Sequence, residues 1–166
     1  HVVLYHMPFG AIEFNQMSGR AGRDGQPAVI HLLYSSRDAR INERLLDCYA
    51  PERDELVTLY RALRTMWRSN RGKTGDDSFS ASDIDIAQMC LAIDARTPVD
   101  ERSVESGLGI FEELGFCRVS GFDDPRRIAM AENPGRVQLS RSIRYLEGLR
   151  SRMEFSAFRS WALDSC

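Results

Sequence analysis

Two arginines, Arg20 and Arg23, lie three residues apart in a short segment that also holds three glycines, QMSGRAGRDGQP over residues 16–27. A guanidinium is planar and always charged, which suits charge that is spread over several phosphate oxygens. Glycine inside a helix costs roughly 1 kcal/mol relative to alanine, so repeated glycines need a reason, and the close approach of a ligand is one. This segment is therefore the first candidate for phosphate chemistry.

The neighbouring residues predict how the segment is positioned. The pattern predicts a helix over residues 11–23. On such a helix Gln16, Arg20 and Arg23 would share one face, because they stand at i, i+4 and i+7. Asp24 could hold one of the arginines in position. The alternative is that both arginines are exposed in a glycine-rich turn and contact no ligand.

These residues resemble motif VI of RecQ-type superfamily 2 helicases, and the flanking VVLYHMP and PAVIHLLY resemble the strands that bracket this motif in the second RecA-like lobe. The matching residues are Gln16, Gly19, Arg20, Ala21, Gly22, Arg23, Asp24 and Gly25. The resemblance implies that Arg20 and Arg23 reach the γ-phosphate of an ATP held by the first lobe. It implies cofactor-binding roles for four neighbours: Gln16, Gly19, Gly22 and Asp24.

A second glycine-containing sequence, Gly72-Lys73-Thr74, ends like a Walker A loop. Trp67 stands where the first glycine of that motif belongs, and the sequence follows a helix rather than a strand. No acidic motif for magnesium is recognisable. We therefore expect ATP and Mg²⁺ to be bound mainly by parts of a parent protein outside this chain, and no cofactor to bind this fragment alone.

The elements around the arginine segment predict a βαβ unit. Residues 2–5 are strand-like, and residues 28–34 form a near-continuous apolar run, typical of a parallel strand covered on both faces. We expect residues 1–47 to be the end of a RecA-like lobe, cut just before or inside a strand. Its partners would be the missing upstream lobe of the same chain and, through an exposed sheet edge, a second copy of the fragment.

A helix over residues 51–70 begins at Pro51, with acidic residues in its first turn. Its apolar residues recur at helical spacing: Leu56, Leu59, Tyr60, Leu63 and Trp67. Four arginines recur in the same way and could follow the backbone of single-stranded DNA: Arg61, Arg64, Arg68 and Arg71. The alternative is that these cations complement the helix dipole and remain solvated.

The next segment predicts a small helical domain. Residues 71–82 are rich in glycine and serine without periodicity, which predicts a linker and places a connecting helix and linker over residues 48–75. Beyond it, a helix begins at Ser82 with a capping-box pattern, and a second begins with Thr97 as its cap. With a hairpin after them, the order is that of a winged helix over residues 76–135.

The second of these helices carries an excess of acidic side chains, which phosphate would repel. We therefore expect it to serve in domain packing, protein contact or strand separation by the hairpin rather than in major-groove recognition. Residues 136–166 are expected to form a helical tail. The segments FEELGF and RVQLSRSIRYLEGLRSRMEFSAFRSWAL resemble the C-terminal region of bacterial RecJ-type single-strand DNA exonucleases that carry a helicase module. That resemblance covers about residues 50–166 and includes no catalytic motif.

Composition bounds these interpretations. With 43% hydrophobic and 28% charged residues and a net charge of -2, the chain is an ordinary globular sequence and not a strongly basic protein coated in nucleic acid. The four cysteines lack metal-ligand spacing, so the four-cysteine zinc module of RecQ helicases is missing and free buried thiols are expected: Cys48, Cys90, Cys117 and Cys166. No apolar run reaches membrane-spanning length. We predict a cytoplasmic protein without membrane contact.

Together these patterns predict an α/β fragment of a RecA-like lobe followed by a mostly α, winged-helix-like domain, α+β overall. The predicted function is the C-terminal part of an ATP-dependent DNA-processing enzyme, a RecQ-like helicase module attached to a RecJ-type exonuclease. The alternative is a non-enzymatic winged-helix module that binds DNA or protein.

Overall fold

The computed structural model describes residues 1–22, 25–121, 124–136 and 138–164. Within these ranges the elements are β1 (Val2–Leu4), α1 (Ala11–Ser18), β2 (Ile30–Leu32), α2 (Ser36–Tyr49), α3 (Arg53–Thr74), β3 (Ser78–Ala81), α4 (Asp83–Ile93), α5 (Glu101–Glu113), β4 (Cys117–Ser120), β5 (Arg126–Met130), a 3-10 turn (Leu139–Arg141) and α6 (Ile143–Asp164). The predicted α+β class is confirmed. The chain divides into two compact units, His1–Leu46 with Gly148–Cys166, and Asp47–Glu147.

The first unit contains the predicted βαβ arrangement. Strands β1 and β2 pair in parallel, with Val2 opposite Ile30 and Leu4 opposite Leu32, and α1 lies between them in sequence. The expectation that the second strand is covered on both faces is wrong within this unit. Ile30 is 38% exposed and Leu33 is 51% exposed, whereas a strand with helices packed on both faces of its sheet would bury its apolar side chains.

The core of the first unit is formed by residues from both segments of the chain that make up this unit, one N-terminal and one C-terminal. Met7 is completely buried and packs in one cluster with Phe155 and Phe158 of α6. The Asn42 side-chain amide of α2 donates a hydrogen bond to the Met7 carbonyl at 2.7 Å, which satisfies a buried acceptor. The helical tail predicted from sequence is thus a core element of this unit.

The second unit is built on α3, whose predicted apolar face is buried. Leu59 and Leu63 are at most 1% exposed. The helix begins after a reciprocal capping box between Glu52 and Glu55, and it ends at Gly75, which adopts a left-handed φ of 72°. It therefore begins two residues after the predicted start at Pro51 and ends four residues beyond the predicted end at residue 70.

The predicted linker over residues 71–82 is wrong as a structural assignment. Its first residues are the last turn of α3, and β3 occupies Ser78–Ala81. The strand pairs antiparallel with β5, Phe79 opposite Ile128, in a sheet of order β3-β5-β4. Phe79 and Ala81 are buried while Ser80 is exposed, a period-2 pattern that the small polar residues concealed. The boundaries of the four predicted segments themselves stay predictions.

Helices α4 and α5 follow β3 and precede the hairpin of β4 and β5, in the predicted order. The predicted capping box of α4 is confirmed, since the Ser82 hydroxyl accepts a hydrogen bond from the Asp85 backbone N–H at 3.0 Å. The predicted cap of α5 is wrong. Thr97 instead donates from its hydroxyl to Asp94, and the Asp100 side chain caps the helix by accepting from the Ser103 backbone N–H at 2.9 Å.

Candidate functional site

Helix α1 ends at Ser18, before the arginine segment. The backbone N–H of Gly19 closes the helix by donating to the Asn15 carbonyl at 2.8 Å. The predicted helix over residues 11–23 is therefore wrong in its C-terminal part. Gln16 lies on the helix and Arg20 lies in the turn after it, so the argument that a shared helix face aims both side chains at one ligand no longer applies.

The local backbone conformation explains why this segment contains three glycines. A Cβ at Gly19 would lie 2.6 Å from the backbone oxygen of Asn15, too close to be tolerated. Gly22 and Gly25 adopt φ values of 69° and 75°, in the left-handed region that favours glycine. The chain thus needs glycine here to turn out of α1 and approach β2, whether or not a second surface comes close.

Arg20 is exposed and forms no ion pair with any other residue in the part of the chain that the structure describes. Gln16, Gly19 and Gly22 are exposed as well. Arg23 and Asp24 lie outside the described residues, so their predicted roles stay predictions. A Cβ added at Gly22 would lie 3.5 Å from the Cβ of Ala28, so the end of the turn after α1 lies beside the amino end of β2.

The arginines of α3 do not behave as one stripe. The Arg64 guanidinium donates to the Ala131 carbonyl at 3.0 Å, just after β5, and its central carbon lies 4.6 Å from the centre of the Trp67 ring. Trp67 is 5% exposed and donates from its indole N–H to the Asp77 carbonyl at 3.0 Å. Arg64 therefore packs on a buried aromatic side chain and ties α3 to the end of the sheet.

Arg71 lies near the same tryptophan, with its guanidinium carbon 5.1 Å from the Trp67 ring centre. It forms ion pairs with Glu132 at 2.6 Å and Asp77 at 3.2 Å. The hydrogen bond to Glu132 and the nearby Asp77 charge raise the pKa of Arg71. Two of the four arginines predicted to contact nucleic acid thus stabilise the second unit.

The other two, Arg61 and Arg68, are exposed. Neither has a hydrogen bond, ion pair or aromatic contact from its side chain to another residue in the described ranges. They stand seven residues apart on α3, two turns along one face. The structure therefore separates a solvent-facing pair of arginines from a pair engaged in packing.

The acidic side chains of α5 bind neighbouring elements. Glu112 accepts a hydrogen bond from the Val119 backbone N–H at 2.9 Å, on β4. Glu105 lies 3.6 Å from the Arg126 guanidinium on β5, which also pairs with Asp83 at 2.8 Å. In the sequence these acids show only as negative charge, because their partners lie beyond the next turn of the helix, on other elements.

Glu113 at the end of α5 fixes the start of α6. Its carboxylate accepts from the Ser142 hydroxyl at 2.6 Å and from the backbone N–H of Ile143 at 2.7 Å, and these bonds lower the pKa of Glu113. A Cβ added at Gly109 would lie 3.0 Å from the Arg144 guanidinium. The beginning of α6 therefore lies over the last turns of α5.

The cysteines of the described ranges are buried. Cys48, Cys90 and Cys117 are buried thiols, as predicted, and Cys166 lies outside the described residues. Burial raises the pKa of Cys90 to about 11 and that of Cys117 to about 12. Within the described ranges, no group of three or more histidine, cysteine or acidic side chains could hold a metal ion, and no helix is long and apolar enough to span a membrane.

Comparison with known proteins gives one informative similarity. Over 63 residues the chain is 35% identical to a protein of Bacillus subtilis (strain 168) described as probable ATP-dependent DNA helicase RecS. Part of the chain is therefore helicase-related. The match covers 38% of this chain and 13% of that relative, so the chain spans a small fraction of the relative's length. No protein-family model and no solved structure matches the chain.

Proposed function

We propose that this chain is the C-terminal part of an ATP-dependent DNA-processing enzyme with a RecQ-like helicase module. In this proposal Arg20 and Arg23 contact the phosphates of an ATP molecule bound by another lobe. The similarity to a DNA helicase supports it. The observation that carries it is the exposure of Arg20, directly after α1 of a parallel βαβ unit and without a partner in the described ranges.

The position of the segment is consistent with action on a nucleotide held elsewhere. Ligands of an open parallel sheet lie outside the carboxyl ends of its strands, whereas the turn that contains Arg20 ends beside the amino end of β2. A guanidinium on that side can contact a nucleotide phosphate that is bound by another lobe. Arginine fingers supplied in this way contribute about 10³ to 10⁵ in rate to phosphoryl transfer.

The test is a comparison of arginine variants in the full-length protein. Arg23→Ala and Arg20→Ala should each abolish DNA-stimulated ATP hydrolysis and leave DNA binding largely intact. Arg44→Ala, which removes an exposed arginine from α2, is the matched control and should keep wild-type turnover. Unchanged turnover in both segment variants would exclude the helicase function.

A second candidate is a winged-helix module without enzymatic activity, which contacts DNA or protein. The order α3, β3, α4, α5, β4, β5 with the sheet order β3-β5-β4 favours a winged helix. The engagement of Glu112 and Glu113 in contacts within the unit favours packing or protein contact over major-groove recognition. The ATPase comparison above separates this candidate from the first.

Three features of the parent protein complete the proposal. Its DNA is single-stranded, a RecJ-type exonuclease is attached, and it is cytoplasmic. The sequence that precedes His1 in the parent gene tests the architecture, since Walker A and B motifs are expected for the helicase and an aspartate and histidine cluster for the exonuclease. A parent protein with neither the Walker motifs nor the aspartate and histidine cluster would contradict this architecture.

We also propose that the open sheet of the first unit pairs with a second copy in the isolated fragment. Val29 and Leu33, on either side of β2, are 48% and 51% exposed, and a two-stranded sheet is marginal by itself. Light scattering at increasing concentration should show association. A strictly monomeric species at high concentration would contradict this proposal.

A further inference from the structure

The solvent-facing side of α3 presents a continuous row of four residues. Arg61, Thr65, Arg68 and Gly72 stand at i, i+4, i+7 and i+11, and all four are exposed. We call this row the α3 crest. It lies opposite the face that buries Leu59 and Leu63, so it does not contribute to the core of the second unit.

The α3 crest is cationic without local neutralisation. Residues 56–75 contain no aspartate or glutamate. Attraction to the negative end of a helix dipole falls off within the last turn, and this accounts for Arg71 and Lys73. It does not account for Arg68, six residues before the end of α3, or for Arg61, thirteen residues before it.

Gly72 adds an observation of a different kind. It lies inside α3, and a Cβ added to it would meet no atom within 4 Å. Glycine at an exposed helical position costs roughly 1 kcal/mol relative to alanine, and no packing contact within the described residues explains it. Its absent side chain leaves the helix backbone open beside Arg68.

We propose that the α3 crest binds the phosphate backbone of single-stranded DNA through Arg61 and Arg68, and that Arg64 and Arg71 do not take part. The identification of the nucleic acid rests on the proposed function, whereas the phosphate contact follows from the crest itself. The two guanidinium-bearing residues are about 10.5 Å apart along the helix axis, so they reach different phosphates. The exposed backbone at Gly72 lets the strand pass close to the helix.

The contact is electrostatic and independent of base sequence. Trp67 is 5% exposed, so it cannot stack on a base. Duplex DNA is disfavoured, because the helix that would enter a major groove, α5, presents acidic side chains that include Glu101 and Glu105. Binding through the crest should therefore depend strongly on salt and weakly on sequence.

The test measures binding of the chain to a fluorescein-labelled oligothymidylate by fluorescence anisotropy over a range of salt concentrations. The double substitution Arg61→Ala with Arg68→Ala should weaken binding on the order of a hundredfold, at about tenfold for each lost charge-assisted contact. The slope of log affinity against log salt should become less negative by about 1.4, at 0.7 for each lost contact. A duplex of equal length should bind more weakly.

The matched control is Arg102→Ala with Arg118→Ala, which removes two exposed arginines from α5 and β4 with the same change in net charge. It should bind nearly as well as the wild type. The proposal is overturned if the crest variant binds like the wild type, or if the control loses as much affinity. Neither outcome depends on ATP hydrolysis. The ATPase test of Arg23→Ala therefore decides the proposed function independently of this binding test.

Discussion

The Glu113 carboxylate accepts a hydrogen bond from the Ser142 hydroxyl at 2.6 Å across 29 residues of sequence, and Ser142 is completely buried. The same carboxylate accepts from the backbone N–H of Ile143. Ser142 is the N-cap residue of α6, since its hydroxyl oxygen accepts a hydrogen bond from the Tyr145 backbone N–H at 3.1 Å. The Glu113 side chain, at the end of α5, supports this cap from a remote position in sequence. Changes at residues that make such contacts should alter the stability, thiol reactivity or nucleic-acid binding of this chain.

Glu113→Gln should destabilise the second unit at neutral pH by removing the charge that supports the cap of α6. The hydrogen bonds lower the pKa of Glu113 in the folded chain, so its stabilisation is fully present above the ordinary glutamate pKa of about 4.3 and is lost as the pH falls through the folded value. The difference between variant and wild type in urea unfolding should therefore shrink below about pH 4. Glu147→Gln, an exposed change on α6, is the control. A difference that stays constant from neutral pH down to the onset of acid unfolding would contradict this role of the Glu113 carboxylate.

Gly107→Ala should destabilise the fold by about 1–3 kcal/mol through overpacking. A Cβ at Gly107 would lie 2.3 Å from the Cδ2 atom of Leu59 and 3.3 Å from that of Leu56, in the contact between α5 and α3. Gly72→Ala is the matched control, because the space around it is open, and it should stabilise the chain by up to about 1 kcal/mol. Equal effects of the two substitutions in urea unfolding would be inconsistent with close helix packing at Gly107.

Arg64→Met should loosen the packing around Trp67 without weakening binding to single-stranded DNA. The substitution removes the hydrogen bond to Ala131 and the guanidinium over the indole ring, with an expected loss of about 1–2 kcal/mol in unfolding free energy. In a Trp161→Phe background, acrylamide should quench Trp67 fluorescence more efficiently in the variant. Unchanged quenching together with lost DNA affinity would instead make Arg64 a nucleic-acid contact.

Cys90 and Cys117 should resist alkylation in the folded chain. Burial raises their pKa values to about 11 and about 12, so at pH 8 roughly 0.1% of Cys90 is thiolate, the reactive form. Mass spectrometry after brief iodoacetamide treatment should find both unmodified in buffer and modified in urea. Labelling of either at the rate of a free thiol such as N-acetylcysteine would show that the core of the second unit opens easily.

Local patterns predicted the elements whose determinants lie within one or two turns. The capping pair Ser82 and Asp85 marked the start of α4, and the spacing of Leu59 and Leu63 gave the buried face of α3. Both depend on neighbours three or four residues away, which a sequence displays directly. The parallel βαβ order of the first unit was predictable for the same reason, since two apolar runs flank one helix.

Local patterns failed where a residue's partner is remote or its conformation is special. The helix predicted through Arg20 ends at Ser18, because Gly19 and the left-handed Gly22 turn the chain instead of continuing α1. Strand β3 was missed because its pairing partner, β5, lies 45 or more residues away along the ladder. Small polar residues alone predict a loop, and only the ladder to β5 makes them a strand.

The sequence by itself determined the arginine- and glycine-rich segment, an amphipathic α3 and the α+β order of the elements, because these follow from residue type and short-range spacing. Only the tertiary structure decided which of four similar arginines are available to a ligand. Arg64 and Arg71 differ from Arg61 and Arg68 in what folds against them, namely the end of β5 and Trp67. The contacts with Ala131 and Glu132 join residues 60 or more positions apart, and no local pattern records them.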